Sequence, residues 1–180
     1  VYNRPWYKDL PKKLEKRTGK NFVAIHNKKD LNRDSLNSIK PEHIFFPHWS
    51  YLIPEEIYRK FNCVIFHMTD LPYGRGGSPL QNLTVRGHRD TMISAIQCVK
   101  DFDAGPVYLK KPLSLDGSAK DIFTRASHII EEMIGEILET NPQPVAQKGK
   151  VVKFTRRKPE DGNLRSAKSL DGIYNYIRML

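Results

Sequence analysis

Apolar and polar positions along this 180-residue chain switch between a helical and a strand period, and the switches mark its elements. Residues 5–19 (PWYKDLPKKLEKRTG) set Leu10 and Leu14 one turn apart, which predicts one or two short helical pieces. Pro11 has no amide hydrogen and argues against one smooth helix through it, and Gly19 supplies a stop. Residues 21–25 (NFVAI) read as a short strand, and the polar run 27–40 as a connection with some helix. Residues 43–46 (HIFF) read as a buried strand. Pro54 opens a helix that runs through Tyr58 and Phe61, and the apolar run 63–66 (CVIF) follows as another strand.

The second half is patterned more clearly. Ser78-Pro79-Leu80-Gln81 carries a cap residue, a first-turn proline and a glutamine at the third position, a helix start. Residues 91–99 and 107–109 read as a strand pair around a loop. Ser118, with Asp121 three residues on, caps a long helix whose face is Ile122, Ala126, Ile129, Met133 and Ile137. Residues 141–144 (NPQP) end it, and 151–154 form a small strand candidate. Leu170, Ile173, Ile177 and Leu180 mark a final amphipathic helix. Strands alternating with helices predict an α/β domain on a mainly parallel sheet, with extra hairpin-like strands. There is no repeat and no low-complexity tract.

At 20.8 kDa the chain suits one domain that buries roughly 70% of its extended surface, and two large domains are not expected. No apolar run approaches the ~18 residues of a membrane helix, so no membrane partner is expected. The net charge of +10 is unevenly spread: residues 1–40 carry +7, residues 41–147 carry −3 and residues 148–180 carry +6. Basic ends can attract an anionic partner, although a solvated surface explains them as well. Cys63 and Cys98 sit in apolar runs without CxxC spacing and read as buried free thiols of a reducing compartment. No secretory segment is visible.

Residues 67–81 (HMTDLPYGRGGSPLQ) hold the densest chemistry, directly after a strand, where open α/β sheets bind ligands. Glycines 74, 76 and 77 allow close backbone approach, while His67, Thr69, Asp70 and Arg75 supply polar groups. The phosphate-cradling GxxxxGK[ST] pattern is absent, and a structural turn pinned by Arg75 is the plainer reading. Residues 101–106 (DFDAGP) form a second loop between apolar strands, either an Asx-turn or the source of an Asp that orients His67.

These two segments resemble the 10-formyltetrahydrofolate-dependent formyltransferase family, which includes glycinamide ribonucleotide, methionyl-tRNA and amino-sugar formyltransferases. The family pattern Asn-x-His-x-Ser-Leu-Leu-Pro, then x-x-Arg-Gly-x-x-Pro-x-Gln, is matched at His67, Leu71, Pro72, Arg75, Gly76, Pro79 and Gln81. The family's Asp-x-Gly-Pro is matched by residues 103–106 at a fitting separation. Ile65 stands where the family has its catalytic Asn, and Asp70 also departs from the pattern.

The resemblance implies a Rossmann-like open, mainly parallel twisted sheet with helices on both faces. It also implies formyl transfer from 10-formyltetrahydrofolate to a primary amine in the cytoplasm, without a metal. His67 would then act as base oriented by Asp103, with Thr69, Asp70 and Arg75 toward the acceptor. Tyr51, Leu52, Ile53 and Asp101 would line the folate pocket. Losing one oxyanion donor can cost about 10²–10³ in turnover, so Ile65 asks for another donor, and Thr69 and Asn62 are nearby in sequence. By elimination among acceptors, a nucleotide-linked amino sugar leads: a small, anionic amine. A formyltetrahydrofolate hydrolase and a catalytically impaired binding protein are the alternatives. Nucleic acid is a less favoured partner, and a homodimer is compatible. The chain opens on Val1-Tyr2 without an initiator Met, so a single core incomplete at its N-terminus, and open at its C-terminus, is expected.

Overall fold

The computed structural model describes residues 1–167 and 169–179. Its central sheet has the order β1-β2-β4-β5, made by Ile44–Phe46 (β1), Cys63–His67 (β2), Asp90–Gln97 (β4) and Val107–Ser114 (β5). β1 and β2 are parallel, in the register Phe46 to Ile65. β4 then runs antiparallel to β2, and β5 antiparallel to β4. The expected hairpin-like strands therefore make up half of the sheet, and the parallel pairing sits beside His67. A second, two-stranded parallel sheet pairs Tyr73–Gly76 (β3) with Val152–Phe154 (β6).

Alternation along β2 divides the core. Val64 and Phe66 face one cluster, with Leu10 and Leu14 of α1 (Leu10–Thr18) and Ile122, Ala126, Ile130, Met133, Ile134 and Ile137 of α5 (Ala119–Thr140). Cys63 and Ile65 face the other, with Leu36 of α2 (Arg33–Ile39) and Ile57 of α3 (Glu55–Tyr58). Helices thus cover both faces, as an α/β sheet requires of strands buried on both sides. Pro11 lies in the first turn of α1, where its missing N–H costs nothing, and Gly19 ends the helix at φ +68°. Ser118 and Asp121 form a reciprocal capping box on α5.

Four expectations need correction. Residues 21–25 run extended but enter no sheet; Ile25 accepts an N–H from Tyr2, and a groove of about 490 Å³ separates the run from β1. A strand needs a ladder of hydrogen bonds to a neighbour, and the single bond from Tyr2 does not make one. Ser78 precedes α4 (Pro79–Val85) but does not cap it: at φ +52° its hydroxyl instead accepts the Arg157 N–H. The glycine-containing loop holds β3, whose pairing partner lies almost eighty residues on and gives no local signal. The last helix, α6 (Leu170–Ile177), leaves Leu170 and Ile177 exposed, and Leu180 lies outside the described residues. Both cysteines are free and buried, and burial pushes Cys63 up to about 12 and Cys98 to about 11, which keeps them as thiols.

Candidate active site

His67 is the last residue of β2, buried and directed to the side of the sheet that Ile65 faces. Its Nε2 lies 2.8 Å from the carbonyl oxygen of Gly74. A carbonyl can only accept, so Nε2 carries a hydrogen. The second nitrogen, Nδ1, lies 3.5 Å from Oδ1 of Asp103. The pair foreseen from sequence is therefore brought together: one nitrogen is anchored on Gly74, and the other faces the Asp103 carboxylate. Gly74 makes the anchor possible. It sits at φ +80°, and a Cβ there would come within 2.7 Å of Thr69 Cγ2 and 2.8 Å of Phe154 Cε2.

Asp103 is placed from two sides. Its Oδ2 accepts the Gly76 N–H at 2.9 Å, and its backbone adopts a left-handed conformation at φ +52°. Gly105 closes the loop against β4, where a Cβ would meet the Gln97 carbonyl oxygen at 1.8 Å. This tight approach explains a glycine between Ala104 and Pro106 better than chain flexibility does.

The other foreseen residues are distributed less evenly. Arg75 lies in β3 beside the pair, with Nε and Nη2 donating to Oε1 of Gln147 at 3.1 and 2.7 Å. Thr69 is fully buried and its hydroxyl points to the Gly74 carbonyl at 3.5 Å, while Ser94 donates to the Thr69 carbonyl. Asp70 is exposed and ion-paired with Lys110 of β5, which also donates to Leu71 O. Tyr51 and Leu52 are exposed on the loop after β1, and Ile53 packs on the α2/α3 side of the core. Asp101 is exposed, next to an equally exposed Phe102.

Ile65 packs among apolar neighbours of that same core cluster. Asn62 is tied to β5, its Oδ1 accepting the Tyr108 hydroxyl at 2.8 Å. Trp49, packed in the same cluster as Ile65, has a buried indole N–H without an acceptor. Sequence reasoning missed Gln147, Lys110 and Ser94. None has a local signal: Ser94 enters as the β4 partner of His67, Lys110 as the β5 partner of Ser94, and Gln147 through the bridge of Val145 to Val107.

No family model matches the chain. Methionyl-tRNA formyltransferase from Clostridium thermocellum superposes with a TM-score of 0.94 and 46% identity, over 99% of this chain and 80% of that one. The chain belongs to the 10-formyltetrahydrofolate-dependent formyltransferase family. Methionyl-tRNA formyltransferase of Thermodesulfovibrio yellowstonii is 26% identical over 151 residues, 79% of this chain and 49% of that protein. The chain spans about half the length of the curated relatives it matches. HypX from Aquifex aeolicus, solved in complex with tetrahydrofolic acid, shares the fold at a TM-score of 0.76 and 16% identity, over 98% of this chain and 33% of that one. Among the described residues, no helix is long and apolar enough to cross a membrane, and no group of three His, Cys, Asp or Glu is placed to hold a metal ion.

Proposed function

We propose that this formyltransferase-family chain moves a formyl group from 10-formyltetrahydrofolate to a primary amine. The observation that carries the reading is the His67–Asp103 pair with its Gly74 anchor, inside a fold shared with a 46%-identical formyltransferase. As the neutral amine attacks the formyl carbon, His67 takes the amine proton at Nδ1, and Asp103, 3.5 Å away, stabilises the resulting imidazolium. His67 then returns that proton to the folate nitrogen as its bond to the formyl carbon breaks. No proton is left over. Tyr51, Leu52 and Phe102 offer exposed apolar surface on two loops next to the site, suited to a flat pterin, with Asp101 at its polar edge. Arg75 keeps donors beyond the two spent on Gln147 and suits an anionic acceptor, while Asp70, already paired with Lys110, is a poor holder for an ammonium.

For the acceptor, the 46%-identical relative favours the amino group of an aminoacyl-tRNA, and the basic ends of the chain agree with a polyanionic substrate. The nucleotide-linked amino sugar expected from sequence is the second acceptor. Purified protein is incubated with 10-formyltetrahydrofolate and, separately, methionyl-tRNA, nucleotide-linked amino sugars or no amine. Formylated product supports the reading and names the acceptor. Formate released at the same rate without any amine would replace transfer by hydrolysis, and neither product would leave a binding role.

A further inference from the structure

We propose that Gln147 is a positioning residue of this site: it holds Asp103 against His67 and joins Arg75 to the pair. The proposal rests on the formyl-transfer reading. Gln147 follows α5 in an irregular run, two residues beyond Val145, which exchanges both backbone hydrogen bonds with Val107 at 2.8 Å. That bridge fixes the run at the start of β5, across from the Asp103 loop.

The side-chain amide of Gln147 is fully used. Its Nε2 donates to the carbonyl oxygens of Asp103 and Gly105, each at 2.8 Å, and its Oε1 accepts from Nε and Nη2 of Arg75. A primary amide has two donor hydrogens and two acceptor lone pairs, so all four positions are matched. Turning the amide over would set N–H against guanidinium N–H and oxygen against two carbonyls, so one orientation is enforced.

Asp103 needs such a hold. A non-glycine residue at φ +52° is disfavoured and persists only where its surroundings fix it. The Gly76 N–H fixes the carboxylate end through Oδ2, and Gln147 fixes the main-chain end. The neighbouring Gly105 carbonyl, also held by Gln147, ties the loop to the same point. Without the amide, the backbone of Asp103 is free to relax toward ordinary φ values, which swings Oδ1 away from Nδ1. Because Arg75 shares the amide, a ligand drawn to its remaining donors acts on the same loop.

The test compares Gln147→Ala and Gln147→Glu with the parent protein. Glu keeps an acceptor for Arg75 but loses both N–H donors and opposes a carboxylate oxygen to two carbonyls. Both variants are expected to lower kcat by ~10–100-fold with KM for the formyl donor unchanged within about twofold. Adding Gln147→Ala to Asp103→Ala is expected to lower kcat no further than Asp103→Ala alone, because the two residues act as one unit. Amide hydrogen exchange reads the same point without catalysis. In Gln147→Ala the Gly76 N–H, which bonds Asp103, exchanges at least ~10-fold faster, while the Val107 N–H, bonded to Val145, keeps its rate. A Glu variant with parental kcat, losses that multiply in the double variant, or an unchanged Gly76 rate would overturn the proposal. Absence of formyl transfer by the parent protein would remove the functional reading alone, and the exchange measurement still decides what Gln147 holds.

Discussion

Replacing His48 with Phe removes a base from a site that disfavours its charged form. The ring packs against Trp6 and Phe123 at centroid distances of 5.9 and 5.6 Å, and its Nδ1 is buried without a partner. Burial, and then Arg4, push its pKa from 6.5 down to about 4. Between pH 4 and 6.5 the unfolded chain therefore binds the proton and the folded chain does not, so stability rises with pH across that window and is lost as pH falls. At about 1.36 kcal/mol per pH unit this sets a ceiling of about 3 kcal/mol for the loss at pH 4, of which about 2 kcal/mol has gone by pH 5. The figure is a ceiling because His48 keeps partial exposure. His43, also lowered by burial, acts in the same direction but is present in both proteins, so it cancels in the comparison. The parent protein is expected to lose up to about 2 kcal/mol more than His48→Phe between pH 7 and pH 5. Urea unfolding of both proteins at pH 7, 6, 5.5 and 5 measures this. Equal slopes for the two proteins across that range would refute the placement of the ring.

Other consequences are checked more briefly. Gly74→Ala forces a Cβ into Thr69 and Phe154 at a positive φ, so it is expected to cost ~2–4 kcal/mol in urea unfolding and to lower kcat by shifting the carbonyl that anchors His67. Parental stability and rate in that variant would contradict the anchoring role. Ser118→Ala removes the hydroxyl half of the capping box on α5, leaving the Ser118 N–H to Asp121, and is expected to cost about 1 kcal/mol with kcat unchanged. Ile65→Asn restores the family's amide two residues before His67 and is expected to raise turnover, by as much as ~10² if no other donor faces the developing oxyanion. An unchanged rate there would point to a donor already in place, with the Trp49 N–H as the unpaired one in that cluster.

Local signals read well, and long-range ones did not. The capping box at Ser118, the stop at Gly19 and the apolar run into His67 each depend on neighbours within four residues, and each is found where the pattern puts it. The strand expected at 21–25 has the right residues, but strand formation depends on a partner, and composition does not report one. Ser78 has the residue type and spacing of a cap, yet the Arg157 amide from a distant segment takes its hydroxyl. The site divides the same way. His67 and Asp103 meet where a two-part motif spans them, whereas Tyr51, Leu52 and Asp101, carried along only as that motif's neighbours, lie exposed on flanking loops. Gln147 was not legible, since its run after α5 has no period and its role exists only once Val145 pairs with Val107.

The central claim is that His67, anchored at Nε2 and facing Asp103 through Nδ1, moves the amine proton during formyl transfer. Steady-state transfer from 10-formyltetrahydrofolate to the accepted amine, compared between the parent protein and His67→Ala at matched folding, tests it most directly. The account predicts that kcat falls by about 10²–10⁴ while the donor KM changes little. His67→Ala transferring formyl groups at the parental rate would contradict it.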